Sequence, residues 1–92
     1  MPKYVLLYES ADDVRSKAPM HFPAHVARWK EFQQNGTLLM IGTFGNPQDE
    51  GSMAIFTTRQ AAEAFARSDP FVLNGVVRRW SIREWNEAIA SS

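Results

Sequence analysis

Three short runs of strand-forming residues carry apolar side chains on both of their alternating sides, and few folds can house such runs in 92 residues. With the period of two of a β-strand, Lys3–Glu9 places Tyr4, Leu6 and Tyr8 on one side and Val5 and Leu7 on the other. Thr37–Gly42 sets Leu38 and Met40 against Leu39 and Ile41, and Ser52–Thr57 sets Met53 and Ile55 against Ala54 and Phe56. A fourth strand is predicted over Val76–Trp85.

Helical patterns separate these strands. Pro23 suits the first position of a helix that runs to about Asn35 and is stopped by Gly36. Val26, Trp29 and Phe32 form its buried stripe, and Arg28, Lys30, Glu31 and Gln34 are expected to face out. Before it, Ser10–Met20 holds Asp12, Asp13, Arg15, Lys17 and Pro19 with no sustained period, and reads as an exposed loop. Gly45–Gly51 is dense in turn formers and joins the second strand to the third. Thr57 and Gln60 match a capping box opening a helix over Arg59–Ser68, with Ala62, Phe65 and Ala66 toward the core. The tail, Asn86–Ser92, is expected to be loosely held.

The order strand, helix, strand, strand, helix, strand is the ferredoxin-like βαββαβ plan: an α+β fold with a four-stranded antiparallel sheet and both helices on one face. One domain over residues 1–92 accommodates it. Two helices cover one face of the sheet, yet the other face is apolar as well. An uncovered apolar face of that size is foreign to a monomer, so a homodimer packed sheet to sheet is expected.

Composition removes several function classes. Ten basic and ten acidic side chains cancel, so no net field draws the chain to nucleic acid or anionic lipid. With no cysteine, thiol nucleophiles, disulfides and thiolate-ligated metals are excluded. No apolar run is long enough to span a membrane, and no signal-peptide layout opens the chain, so a cytoplasmic location is expected. Arg78, Arg79 and Arg83 interleave with Trp80 and Trp85, but the third strand lacks the paired aromatics of an RNA-reading sheet. No nucleic-acid role is expected, and these arginines are expected to face water or pair with acids such as Glu84 and Glu87. No Gly-rich phosphate cradle occurs, so no phosphate-bearing cofactor is implied.

The most pointed local chemistry lies in Ser68–Val76. Pro70 disfavours helical geometry at Asp69, which ends the preceding helix there. Asp69 can then cap a short turn that opens on Pro70 and ends at Gly75. The carboxylate is either only that cap or a functional group held at a junction of elements. His25, in the first turn of the predicted helix, borders the buried stripe. It is either a core-edge histidine bonded to backbone or a proton-transfer group. His21 lies four residues earlier, a metal-pair spacing on a continuous helix, but Pro23 is expected to leave it outside, and no metal site is expected.

Several of these segments together resemble the YciI-like family, or YCII-related domain. They are Pro23–Trp29 around His25, Asn35–Gly42, Gly51–Ile55 and the Asp-Pro-Phe segment Ser68–Val76, and the resemblance spans Tyr4 to about Trp85. It implies a dimeric α+β barrel and a catalytic dyad of His25 and Asp69. It further implies cofactor-free proton-transfer chemistry on small, often aromatic-derived molecules, such as loss of HCl from chlorinated hydroxyquinols. Trp29, Phe71 and Gly42 are the expected substrate-binding positions. Thr43 and Phe22 depart from the family pattern, which often has Pro and Arg there, so no anion-binding role carries over to position 22. Two functions fit: a cofactor-free lyase or isomerase, and a non-catalytic dimer that binds a small molecule or modulates an enzyme.

Overall fold

The computed structural model describes residues 2–90. Its elements run β1 (Lys3–Ser10), α1 (Val14–Gln34), β2 (Leu38–Thr43), α2 (Pro47–Glu50), β3 (Ser52–Phe56), α3 (Arg59–Ser68), α4 (Pro70–Leu73) and β4 (Val77–Trp85). The strands form one antiparallel sheet in the order β2-β3-β1-β4, the split arrangement of the ferredoxin-like plan. Consecutive strands β1 and β2 are therefore separated by β3, and the chain crosses between them through α1.

The helices pack on the face that carries Leu6, Tyr8, Ala54 and Phe56. At its centre Phe32 of α1, Phe56 of β3 and Phe65 of α3 meet with ring centroids 5.3 to 6.2 Å apart. Ala62, Phe65 and Ala66 are fully enclosed, as the helical period of α3 requires. The register pairs Leu6 with Ile82 and Tyr8 with Trp80, which puts these β4 residues on the same face. Val5, Leu7, Met53 and Ile55 alternate to the opposite face, on which no helix of the described residues packs.

Several expectations need correction. The segment read as an exposed loop is helical from Val14, so α1 begins well before Pro23, and both Pro19 and Pro23 lie inside it. Each proline removes one backbone donor and disfavours the helix by about 3 kcal/mol. Local support offsets part of this: the Ser16 and Lys17 N–H groups both donate to the Asp13 carbonyl, and Lys17 pairs with the Asp13 carboxylate at 3.3 Å. Val14 and Ala18 also turn an apolar side toward Val76 and Val77 across a shared hollow. His21 is consequently helical, and His25 sits mid-helix instead of in a first turn. Arg28 does not simply face water. Its Nε donates to Ser68 Oγ at 2.9 Å, and its guanidinium lies 4.8 Å from the Phe32 ring centre.

In β2 a bulge at Leu39 shifts the register between Leu38 and Met40. Leu38 and Ile41 therefore both join the helix-covered core, and Met40 stands opposite Ile55 on the other face. The helix cap is Thr58, whose Oγ1 accepts the Ala61 N–H at 3.1 Å, so Thr57 and Gln60 form no capping box. Gln48 and its neighbours in the expected turn wind into the four-residue α2. It ends at Gly51, whose φ is +77° and whose missing Cβ would fall 2.0 Å from the Tyr8 carbonyl oxygen. Only glycine lets the chain close on β1 there.

Arg78, Arg79 and Arg83 are exposed, as expected, and the acids that Arg78 and Arg79 meet are Asp12 at 3.3 Å and Glu9 at 3.8 Å rather than Glu84 or Glu87. Glu87 binds Lys3 instead, which ties the start of the tail to β1; Ser91 and Ser92 lie outside the described residues. Among those described, no helix is long and apolar enough to cross a membrane.

Candidate functional site

Pro70 does at Asp69 what its chemistry requires. The residue takes extended geometry (φ −67°, ψ 125°), ending α3 and serving as the N-cap of α4. Its side chain is fully buried, and three donors converge on it. The Phe71 N–H reaches Oδ1 at 3.1 Å, His25 Nδ1 lies 2.8 Å from the same oxygen, and the Tyr8 hydroxyl donates to Oδ2 at 2.7 Å. A carboxylate oxygen accepts, so with Oδ1 as the acceptor the shared proton is carried by Nδ1 of His25. Three such bonds satisfy the polar atoms of this buried side chain.

His25 is buried and reaches this junction from the middle of α1. The Phe71 ring lies flat on the imidazole, with centroids 3.9 Å apart and planes 4° from parallel. Phe65 meets it edge-on at 6.2 Å and Phe22 approaches at 6.3 Å. Asp69 is the only hydrogen-bond partner of the ring among the described residues, and no buried polar side-chain atom there goes unpartnered. Nε2 is therefore open to the cavity that His25 lines.

That cavity has a volume of about 270 Å³ and lies between α1 and the sheet. Trp29, Phe71 and Gly42 line it, as do Tyr8, Phe22 and Ile41. Its wall is mostly apolar, so an electrostatic interaction inside it is weakly screened. Asp69 lies behind His25 and does not line it.

Tyr8 is the part of the site that sequence reading missed. Burial, with Asp69 adding charge repulsion and a hydrogen bond, pushes its phenol far above the ordinary 10.0, so it is a fixed donor to the carboxylate. The available signal was its alternation with Leu6: a tyrosine on a core-facing strand position must find a partner for its hydroxyl. His21 and His25 lie on one helix after all, but among the described residues no three or more His, Asp or Glu side chains are grouped to hold a metal ion.

A split antiparallel βαβ sheet with its helices packed on one face defines the class: an α+β protein with the ferredoxin-like plan. The YCII-related domain profile matches residues 2–86, and the chain belongs to that family. A comparison with curated protein sequences finds no match.

Among solved structures, the chain is similar to 5-chloro-2-hydroxyhydroquinone dehydrochlorinase of Burkholderia phenoliruptrix AC1100, solved in complex with 2,5-dihydroxybenzoquinone. The identity is 16% and the TM-score 0.73, over 94% of this chain and 95% of that one. An antibiotic biosynthesis monooxygenase is similar at 13% identity and TM-score 0.56, covering 97% and 100% of the two chains. Protein Atu4242 of Agrobacterium tumefaciens is similar at 15% identity and TM-score 0.59, over 96% and 94%. At such identities the likeness establishes the fold alone.

Proposed function

We propose that this chain catalyses cofactor-free proton transfer on a small molecule, as a lyase or isomerase, with His25 as the base and Asp69 as the group that orients it. The observation that carries this reading is the 2.8 Å contact between the buried Asp69 carboxylate and His25 Nδ1, with His25 lining an apolar cavity; in this reading the proton is held on Nδ1 and Nε2 faces the substrate. In an elimination, Nε2 takes a proton from a substrate carbon, the C–H electrons form a C=C bond, and the leaving group departs from the neighbouring carbon with its electron pair. In an isomerisation the imidazolium returns the proton to a different carbon. In either case the charge that develops on the imidazole is stabilised by Asp69 at 2.8 Å. Trp29, Phe71 and Gly42 are the substrate-binding positions in this reading. The ring ligand and dehydrochlorination in the description of the Burkholderia enzyme support it by analogy.

The active species in this reading is a homodimer joined through the face of Val5, Leu7, Met53 and Ile55, which no helix covers. One observation favours a second, non-catalytic reading as a small-molecule-binding dimer: Asp69 also accepts the Phe71 N–H, so a purely capping role accounts for its burial.

Turnover on chlorinated hydroxyquinols, followed by halide release, separates the two. His25→Ala and Asp69→Asn should each lower it at least about 100-fold, with the double variant little worse than either, because the pair acts as a unit. Unchanged turnover in both single variants would refute the dyad, and no turnover by the wild type would leave the binding reading.

A further inference from the structure

A second hollow, of about 440 Å³, adjoins the His25 cavity and extends toward the start of α1. The two meet along Tyr8, Phe22, Thr43, Ser52 and Phe71, which line both. Val14, Ala18, Val76 and Val77 make much of the second hollow apolar, so a ligand extending from the first would bury hydrocarbon there.

Among its described lining residues Arg15 is the one charged side chain. It is exposed and makes no ion pair among the described residues, like Arg59 and Arg83 and unlike Arg28, Arg67, Arg78 and Arg79, but of the three unpaired arginines it alone lines this hollow. The acids nearby are engaged elsewhere. Asp12 faces Arg78, Asp13 faces Lys17, and Glu50 and Asp49 accept from the Asn46 backbone and side chain at 2.7 and 2.9 Å. An uncommitted guanidinium beside an apolar trough suits a planar anion, which it can bind through two parallel N–H bonds.

We propose that the two hollows form one bipartite site for an aryl substrate ending in a carboxylate. The ring lies beside His25 and Phe71, a short apolar chain crosses at Tyr8, and the carboxylate meets Arg15. This rests on the reading of the His25 cavity as a ligand site and adds the substrate class.

Calorimetric titration of the full chain with benzoate, 3-phenylpropanoate, 5-phenylpentanoate and 5-phenylpentanamide tests it. Affinity should rise along the acids, and the longest acid should bind at least 10-fold more tightly than its amide. Arg15→Gln should remove that difference and leave the amide unchanged. Ala18→Phe, which fills the second hollow, should reduce the longest acid to the level of benzoate. Equal binding of acid and amide, no dependence on length, no binding at millimolar concentration, or an Arg15→Gln variant that behaves as the wild type would each overturn the proposal. His25→Ala run in parallel separates this from the catalytic reading. Binding with the charge and length dependence but no turnover in any variant defeats catalysis alone; turnover on ring substrates without that dependence defeats the bipartite site alone.

Discussion

On the helix-covered face of the sheet, Tyr8 carries its hydroxyl to a fully buried carboxylate, and that carboxylate also holds His25. On the opposite face the neighbouring positions Val5 and Leu7, with Met53 and Ile55 beside them, present no hydrogen-bonding side-chain group at all. One strand thus serves two kinds of chemistry through its period of two. The first face gains specificity by satisfying a costly charge with three donors. The second offers non-directional apolar area, which gains free energy from any well-matched cover at about 25 cal/mol per Å². Damage to the first should therefore fall on folding and the site, and damage to the second on association.

The largest expected effect is at the junction. Asp69→Ala removes the acceptor of Tyr8, His25 and the Phe71 N–H together, and should destabilise the fold by about 3–5 kcal/mol, as for a broken buried pair. Urea unfolding measures this, and a loss below about 1 kcal/mol would mean that the junction is not a satisfied buried network. Next in size is the open face. The wild type should sediment at twice the chain mass at low micromolar concentration, and Leu7→Glu should weaken the dimer by about 3 kcal/mol, or more than 100-fold. A folded wild-type monomer at that concentration would break the contrast between the faces.

The smallest effect concerns Tyr8. Its folded value lies above the ordinary 10.0, so the contribution of the neutral phenol is fully present below pH 10.0 and is lost as pH rises beyond it. Above that point the unfolded chain releases this proton and the folded chain retains it, giving a loss of about 1.4 kcal/mol per pH unit. Tyr8→Phe should cost about 1 kcal/mol near neutral pH and remove that alkaline slope. Identical slopes in the two proteins would show that Tyr8 is not held as a donor.

The legible parts of the chain were those decided locally. Pro70 sets the backbone of Asp69 regardless of the rest of the fold, and the alternation of Lys3–Glu9 needs no partner to be recognised. The start of α1 was illegible because Pro19 and Pro23 are helix-stopping by local rules, while the apolar packing beside Val76 and Val77 that supports the helix is set by residues far along the chain. The bulge at Leu39 was hidden because Leu38, Leu39, Met40 and Ile41 are all apolar, so alternation reads alike in either register. The helix cap fell one residue away because Thr57 and Thr58 are chemically equivalent candidates. Tyr8 and Asp69 are 61 residues apart, and nothing near either names the other.

The central claim, that Asp69 fixes the tautomer of His25, can be tested without a substrate. Nitrogen-15 NMR of the imidazole rings, in a His21→Gln background that leaves His25 as the one histidine, reports which nitrogen carries the proton. With the imidazole neutral, Nδ1 should be protonated and Nε2 bare, and Asp69→Asn should abolish that preference. A proton on Nε2, or a free mixture of tautomers in the wild type, would contradict the account.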